Sequence, residues 1–320
     1  PLVLAHLAAG RRVVLAARAP WKDLVPPHPS FTFVPVSPAY ASADATKKYR
    51  GFVRGVLSLA RLLYPYAAGA DGLDVRGDVR SLVILYLAGC GSVYTLPRYY
   101  TANDCLVMPF AARRVEMPRN VSRRLLNGVF APAGVVLTRS RVNHLLPSPP
   151  PVVDDHRIGI IALTPWIGKC WFPELWRETI DRLRADSLCP ILLCGPDEKA
   201  DALAAIGCSE SAIECHEAND VKSWVAELAE CGAIITVNTG PMHLADALDK
   251  PLVVLEGSSR LPLWAPEGDR AFVVHHQDVA ACAPCHQVGD TITCGRRCMR
   301  LILPDEVIAA LATVRGKRPS

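Results

Sequence analysis

Four cysteines fall in one short stretch near the C-terminal end of the sequence, Cys282-x2-Cys285-x8-Cys294-x3-Cys298. Two close pairs separated by a short loop can converge into a tetrahedral thiolate site, and soft sulfur donors suit zinc or iron. Four protein ligands leave no open coordination position, so the spacing predicts a structural metal and no catalytic one. Free thiols or a pair of disulfides remain the alternatives at this point. A second constellation is Val237-Asn238-Thr239-Gly240-Pro241-Met242-His243-Leu244, an apolar run, a tight Thr-Gly-Pro turn and then a helical pattern. Such a strand-to-helix turn leaves backbone N–H groups free at a helix N-terminus, where the partial positive charge favours a phosphate. Pro241 fits the first helical turn, because the N–H it lacks would have had no partner there. An ordinary βα turn in an α/β core explains the same residues equally well, and His243 alone reads more readily as a packed helix residue than as a catalyst.

The elements that position these residues follow from periodicity. In the first half, Val13–Ala17, Phe31–Val36, Gly72–Val75 and Ser92–Leu96 have the length and composition of strands. Helices are expected over Tyr49–Tyr64, with a broad apolar face of Phe52, Val53, Val56, Leu57, Leu59, Ala60 and Leu63, and over Val79–Ala88. The stretch Leu146-Pro147-Ser148-Pro149-Pro150-Pro151 then interrupts all periodicity and leads into Asp154-Asp155-His156-Arg157, which reads as an interdomain linker. Alternation resumes with strands over Ile158–Leu163, Pro190–Cys194, Ala233–Val237 and Leu252–Leu255. Helices fall near Pro173–Arg184, from Asp197, over Val221–Glu230, over Met242–Leu248 and over Pro304–Val314. Strands and helices alternating at this spacing imply βαβ units and parallel sheets. The sequence therefore predicts an α/β protein of two Rossmann-like, doubly wound domains facing a cleft, with a short C-terminal cysteine finger. The N-terminal domain spans 1–146, the linker 147–157 and the C-terminal domain 158–320, with the finger at 282–298.

With 320 residues the chain is long enough for two cores. Half the residues are hydrophobic and 21% are charged, which excludes general disorder. The longest apolar stretches, such as Val56–Tyr66 with Arg61 inside it, fall short of the roughly 18 apolar residues of a membrane-spanning helix. A net charge of +4 is compatible with a nucleotide, an acidic glycan or peripheral contact with a membrane surface. Nucleic acid is not an expected partner, since basic and aromatic residues are not interleaved beyond the short Arg296, Arg297, Arg300 cluster. Of the 12 cysteines, those outside the finger sit singly, several in apolar runs, as small buried hydrophobes in a reducing cytoplasm.

A resemblance sharpens these readings. The run Asn238–Leu248, followed by Lys250-Pro251-Leu252-Val253-Val254-Leu255-Glu256-Gly257-Ser258-Ser259, by Trp264-Ala265-Pro266 and by Cys282-Ala283-Pro284-Cys285, resembles the signature of the bacterial ADP-heptose heptosyltransferases, glycosyltransferase family nine. Asp74-Val75-Arg76-Gly77-Asp78-Val79-Arg80-Ser81 is similar to that family's N-domain strand end, and Lys169-Cys170-Trp171-Phe172-Pro173-Glu174 to its Lys-x-Trp-Pro segment.

The resemblance implies a GT-B fold and inverting transfer of a heptose from an ADP-sugar to a hydroxyl, on a lipopolysaccharide core sugar or on a protein serine. The acceptor enters from the N-terminal domain. By motif position Thr164 and Lys169 lie near the diphosphate, with Lys169 as the catalytic charge-neutralising group. Asn238, Thr239, Gly240, Pro241, Met242 and His243 line the donor. Independently of the resemblance, Glu217 reaches a ribose hydroxyl if the loop before Val221 closes over the nucleotide, and is otherwise an ordinary exposed acidic residue. Trp166 and Trp264 suit core packing or sugar stacking equally. The finger's arginines are expected beside the acceptor cleft or on the surface, and Arg113-Arg114 and Arg123-Arg124 on an anionic acceptor or in solvent. Some protein-modifying members carry an iron-binding cysteine finger, so iron stands beside zinc, and a homo-oligomer is compatible. Two departures stand out. The family usually has Asp where this chain has Asn238, and its first strand and Gly-Asp turn, source of the proposed base, should precede Leu2-Val3-Leu4-Ala5-His6-Leu7. The base is thus unassigned, and a catalytically inactive nucleotide-binding module and a UDP-sugar enzyme of the same fold are the competing readings.

Overall fold

A computed structural model describes residues 1–36, 48–75, 79–95, 113–114, 122–259, 261–280, 282 and 294–316. The chain divides into two compact units, Pro1–Thr138 and Arg139–Ser320, so the Pro-rich stretch lies inside the second unit.

The first unit runs α1 (Leu2–Ala8), β1 (Val13–Ala17), β2 (Phe31–Pro35), α2 (Lys48–Ala67), β3 (Asp71–Asp74), α3 (Val79–Leu87), β4 (Ser92–Thr95), β5 (Arg113–Arg114) and α4 (Arg123–Gly128). β1 pairs with β2, and β3 with β4 and β4 with β5, all in parallel. Helix α1, to which the sequence assigns no element, is tied down by buried His6, whose Nε2 lies 2.8 Å from the Phe130 carbonyl oxygen. Helix α2 continues past Tyr64, through Pro65, because a proline so near the end forfeits one backbone bond and the Ala68 N–H still reaches the Tyr64 carbonyl at 3.1 Å. Its core face is narrower than expected. Val56, Ala60 and Leu63 pack with Val34, Ile84 and Ala88, whereas Val53 and Leu57 face solvent. Arg123, at the start of α4, donates to the Val75 carbonyl at 2.9 Å rather than standing free.

The second unit continues with β6 (Asp154–Ile161), α5 (Pro173–Ala185), β7 (Cys189–Cys194), α6 (Lys199–Ile206), β8 (Glu214–Glu217), α7 (Val221–Glu230), β9 (Cys231–Val237), α8 (Gly240–Ala247), β10 (Leu252–Glu256), α9 (Leu261–Trp264), β11 (Ala271–His275), α10 (Arg297–Arg300) and α11 (Pro304–Arg315). Its strands form one parallel sheet in the order β8-β7-β6-β9-β10-β11. Numbered from β6, that is the 3-2-1-4-5-6 order of a doubly wound sheet, whose ligand crevice opens at the carboxyl ends of the first and fourth strands. Strand β6 starts at Asp154, so the charged Asp154–Arg157 segment belongs to the sheet rather than to a linker. Every residue of β9 and β10 is buried, as two helix-covered faces require.

Helices cover the sheet for reasons visible in their sequences. Pro173 opens α5, and its core face is Trp176, Thr179, Ile180 and Leu183, spaced for one side of a helix. Trp176 meets Trp171 edge to face with centroids 5.0 Å apart. Helix α7 begins at Asp220, whose carboxylate accepts from the Ser223 N–H at 2.8 Å while the Ser223 hydroxyl accepts from the Asp220 N–H at 2.9 Å. Asp246 of α8, Arg139 and Asp249 form a half-buried ion cluster at 3.0 and 2.8 Å. Asp246 also accepts from the Glu267 and Gly268 N–H groups, at 3.0 and 2.9 Å, fixing the loop before β11. Among the described residues no helix is long and apolar enough to cross a membrane.

Candidate functional site

The switch point between β6 and β9 gathers residues that lie far apart in sequence. After β6 the chain passes Thr164 and makes one tight turn at Ile167–Lys169, closed by the Lys169 N–H on the Trp166 carbonyl at 2.9 Å. Lys169 leaves that turn with its Nζ 3.2 Å from Asn238 Oδ1 and 5.5 Å from the centroid of the half-buried Trp166 ring. Trp166 stands beside the ammonium, and its buried indole N–H has no hydrogen-bond partner among the described residues. The turn is pinned from behind. Trp171 Nε1 donates to the Ile302 carbonyl at 3.2 Å, and Arg296 donates to the Cys170 carbonyl at 3.0 Å.

Asn238 directly follows β9 and is buried. Its Nδ2 donates to Glu256 Oε2 at 2.5 Å and to the Trp264 carbonyl at 3.3 Å, so Trp264 contributes a backbone acceptor here. Thr239 caps α8 in an extended conformation without a side-chain hydrogen bond, and Gly240 and Pro241 begin the helix. The first N–H groups of α8 therefore remain free of a side-chain cap beside an ammonium, an arrangement that suits a diphosphate. The Met242 side chain is wholly buried, because the first turn of α8 must also cover the sheet. His243 is exposed.

The residue that motif reading passes over is Glu256, the last of β10 and 1% exposed. A charged residue closing an otherwise apolar strand was its signal. Burial pushes its carboxyl above the usual range, opposed by the Ser259 N–H, by Lys169 and by Asn238. Burial likewise holds the Lys169 ammonium below the usual lysine range, and the negative charge of Glu256 works against that shift. The loop after β10 is clamped by Gln277, which donates to the Gly257 and Ser259 carbonyls at 3.0 and 2.6 Å. The buried Ser258 hydroxyl in that loop has no partner among the described residues. Glu217 ends β8 at the sheet's edge, exposed and on the same side of the sheet, but two strands away from β6.

Of the finger cysteines, Cys285 lies outside the described residues. Backbone N–H groups, that of Arg296 foremost, hold the exposed Cys294 thiol below its usual range, and the Cys282 thiol adds to this. Burial pushes Cys298 up to about 11. Among the described residues no group of three His, Cys, Asp or Glu side chains is arranged to hold a metal. Two of the finger's arginines find a specific seat: Arg296 and Arg300 lie 4.3 and 3.5 Å from the centroid of the Phe172 ring.

Comparison with known proteins agrees with this geometry. Residues 136–294 match the model of glycosyltransferase family 9 (heptosyltransferase). Lipopolysaccharide heptosyltransferase 3 of Escherichia coli K12 is 30% identical over 123 residues, a match spanning 36% of this chain and 34% of that protein. Among solved structures, E. coli heptosyltransferase WaaC with ADP is 16% identical with a TM-score of 0.67, over 98% of this chain and 94% of that one. E. coli ADP-heptose lipopolysaccharide heptosyltransferase II is 17% identical with a TM-score of 0.61, over 98% and 93%. The iron-containing dodecameric glycosyltransferase TibC of enterotoxigenic E. coli is 14% identical with a TM-score of 0.55, over 98% of this chain and 73% of that one. The α/β fold with parallel sheets is thus that of the GT-B heptosyltransferases, and residues 136–294 carry the match to glycosyltransferase family 9.

Proposed function

We propose that this protein transfers a heptose from an ADP-heptose to a hydroxyl acceptor, a lipopolysaccharide core sugar or a protein serine, with inversion at the anomeric carbon. The observation that carries this reading is the Lys169–Asn238 pair beside the free N-terminus of α8, at the switch point of a 3-2-1-4-5-6 sheet. As the glycosidic bond to the diphosphate breaks, negative charge grows on the departing ADP. Lys169 neutralises that charge, and the N–H groups at Thr239 and Gly240 add donors that need no reorganisation. Thr164 and the backbone of Pro241–Met242 complete the diphosphate cradle. Asn238 and His243 meet the sugar, and Glu217, from the edge of the sheet, takes the ribose. The donor is assigned to the second unit and the acceptor to the first. Cytoplasmic location follows from an ADP-sugar donor, and a homo-oligomer is the state that TibC's assembly favours.

Cys282, Cys285, Cys294 and Cys298 would hold an iron or zinc ion in a structural role. The soft sulfur donors support this, as does the iron content of TibC. Calorimetric titration with ADP, UDP and GDP tests the central claim. Binding selective for ADP is expected, followed by transfer from ADP-heptose in an acceptor screen. Binding of UDP alone would reassign the donor, and no nucleotide binding would leave a scaffold.

A further inference from the structure

Glu256 is buried with both carboxyl oxygens engaged. Oε1 accepts from the Ser259 N–H at 2.8 Å, and Oε2 accepts from Asn238 Nδ2 at 2.5 Å. An N–H donor on each oxygen favours the ionised form of the carboxyl and works against the burial that favours the proton. Asn238 stands between this carboxylate and Lys169. Its amide has one accepting and one donating end. In the observed orientation Oδ1 faces the ammonium at 3.2 Å, while Nδ2 faces the carboxylate and the Trp264 carbonyl at 3.3 Å. Turning the amide over would set donor against donor at Lys169 and acceptor against acceptor at Glu256 and Trp264.

We propose that Glu256 is the positioning residue of this site: its carboxylate orients Asn238 and, through Asn238, holds the Lys169 ammonium at the ends of β6 and β9. That Lys169 then meets a diphosphate rests on the function proposed above; the orientation of Asn238 does not. Among the described residues, Glu256 from β10 is the charged group facing Lys169, and Lys169 is the one facing Glu256. Arg296, from the start of α10, reaches the carbonyl of the neighbouring Cys170. The pair across β9 and β10 therefore needs one carboxylate and one amide. Glu256→Gln keeps the shape but sets its own amide N–H against either the Ser259 N–H or Asn238 Nδ2. Asn238→Asp brings two carboxylates within hydrogen-bond distance in a buried site, where both cannot ionise together. Exchanging the two, in Asn238→Asp/Glu256→Gln, restores one of each and leaves the longer contact with the Trp264 carbonyl as the one that loses its donor.

The test reads Lys169 itself. The purified chain and its variants, without nucleotide, are acetylated with limiting acetic anhydride across alkaline pH, and the Lys169 peptide is followed by mass spectrometry. Glu256→Gln is expected to move the titration of Lys169 down by about one pH unit, and the exchanged double variant to return it toward the parent value. ADP calorimetry run in parallel should show about tenfold weaker binding in Glu256→Gln and recovery in the double variant. An unchanged Lys169 titration in Glu256→Gln would overturn the proposal, as would a double variant no better than the worse single one. If Glu256→Gln does not fold, a double variant that folds with a parent-like Lys169 titration supports the assignment, and one that also fails to fold refutes it. A shifted Lys169 titration in a chain that binds no ADP would sink the nucleotide reading and leave the positioning role standing.

Discussion

Replacing Lys169 by methionine keeps an unbranched stem beside Trp166 and removes only the ammonium. With ADP bound, the loss is one charge-assisted hydrogen bond to a phosphate oxygen in a half-buried setting, worth about 1.5–3 kcal/mol. At 1.4 kcal/mol per decade this is about a 10- to 150-fold rise in the Kd for ADP, with adenosine unaffected. The pH dependence adds a second signature. Burial holds Lys169 below the usual lysine range, so its cationic form is lost at lower pH than on an exposed lysine. ADP affinity should therefore fall as pH rises through that pKa, and binding on that limb should take up a proton, since the phosphates favour the charged amine. Calorimetry in buffers of different ionisation enthalpy measures the uptake, which should vanish in Lys169→Met. The variant also leaves Glu256 without its counter-charge. Because the folded pKa of Glu256 is raised, the destabilisation is absent at acid pH and grows as pH rises through the folded value. Equal proton uptake in both proteins, or a loss of ADP affinity under about threefold, would refute the role given to Lys169.

Metal analysis of the purified protein should find one iron or zinc per chain, lost in Cys298→Ser. A chain that keeps its metal in that variant would remove Cys298 from the ligand set. Gly232→Ala is expected to lower stability by about 1–3 kcal/mol in chemical denaturation, since its Cβ would sit 2.6 Å from the Asp155 Cα, where backbone rather than a mobile side chain must give way. A loss under about 0.5 kcal/mol would show that β6 and β9 can separate there at little cost.

How much of this was legible in sequence depended on whether the signal was local. Strand β9 is apolar but for Thr236 and α7 announces itself by Asp220, so both stand where periodicity and cap chemistry place them. Strand β8, Glu-Cys-His-Glu at one edge of the sheet, has too little burial to impose an apolar pattern and was not legible, whereas β11 at the other edge, Ala-Phe-Val-Val-His, carries an apolar run to which the sequence reading assigned no element. Val53 and Leu57 show the opposite failure, apolar residues that widen the apparent face of α2 without joining the core. At the site, Asn238 and Lys169 were found through motifs, but their contact closes between loops on two different strands. Glu256 belongs to neither motif's chemistry until the fold brings β10 beside β9. Met242 shows how a residue in the first turn of a helix can carry an uncapped backbone and a core-facing side chain at once.

The same geometry explains why a cysteine segment far along the chain bears on Lys169. Residues 294–302 touch both loops of the site. Arg296 holds the Cys170 carbonyl, Arg296 and Arg300 cover Phe172, and the Ile302 carbonyl accepts from Trp171. A Cβ on Gly257, the residue after Glu256, would come within 2.8 Å of Cys298 Sγ and 2.6 Å of Met299 Sδ, so that loop packs directly on α10. Lys169 and Glu256 approach each other from loops that each rest on this segment. A ligand placed at the ends of parallel strands is met by loops, which are the least self-supporting parts of the fold. Rigid placement of an ammonium and a carboxylate there requires something behind them, and residues 294–302 supply it.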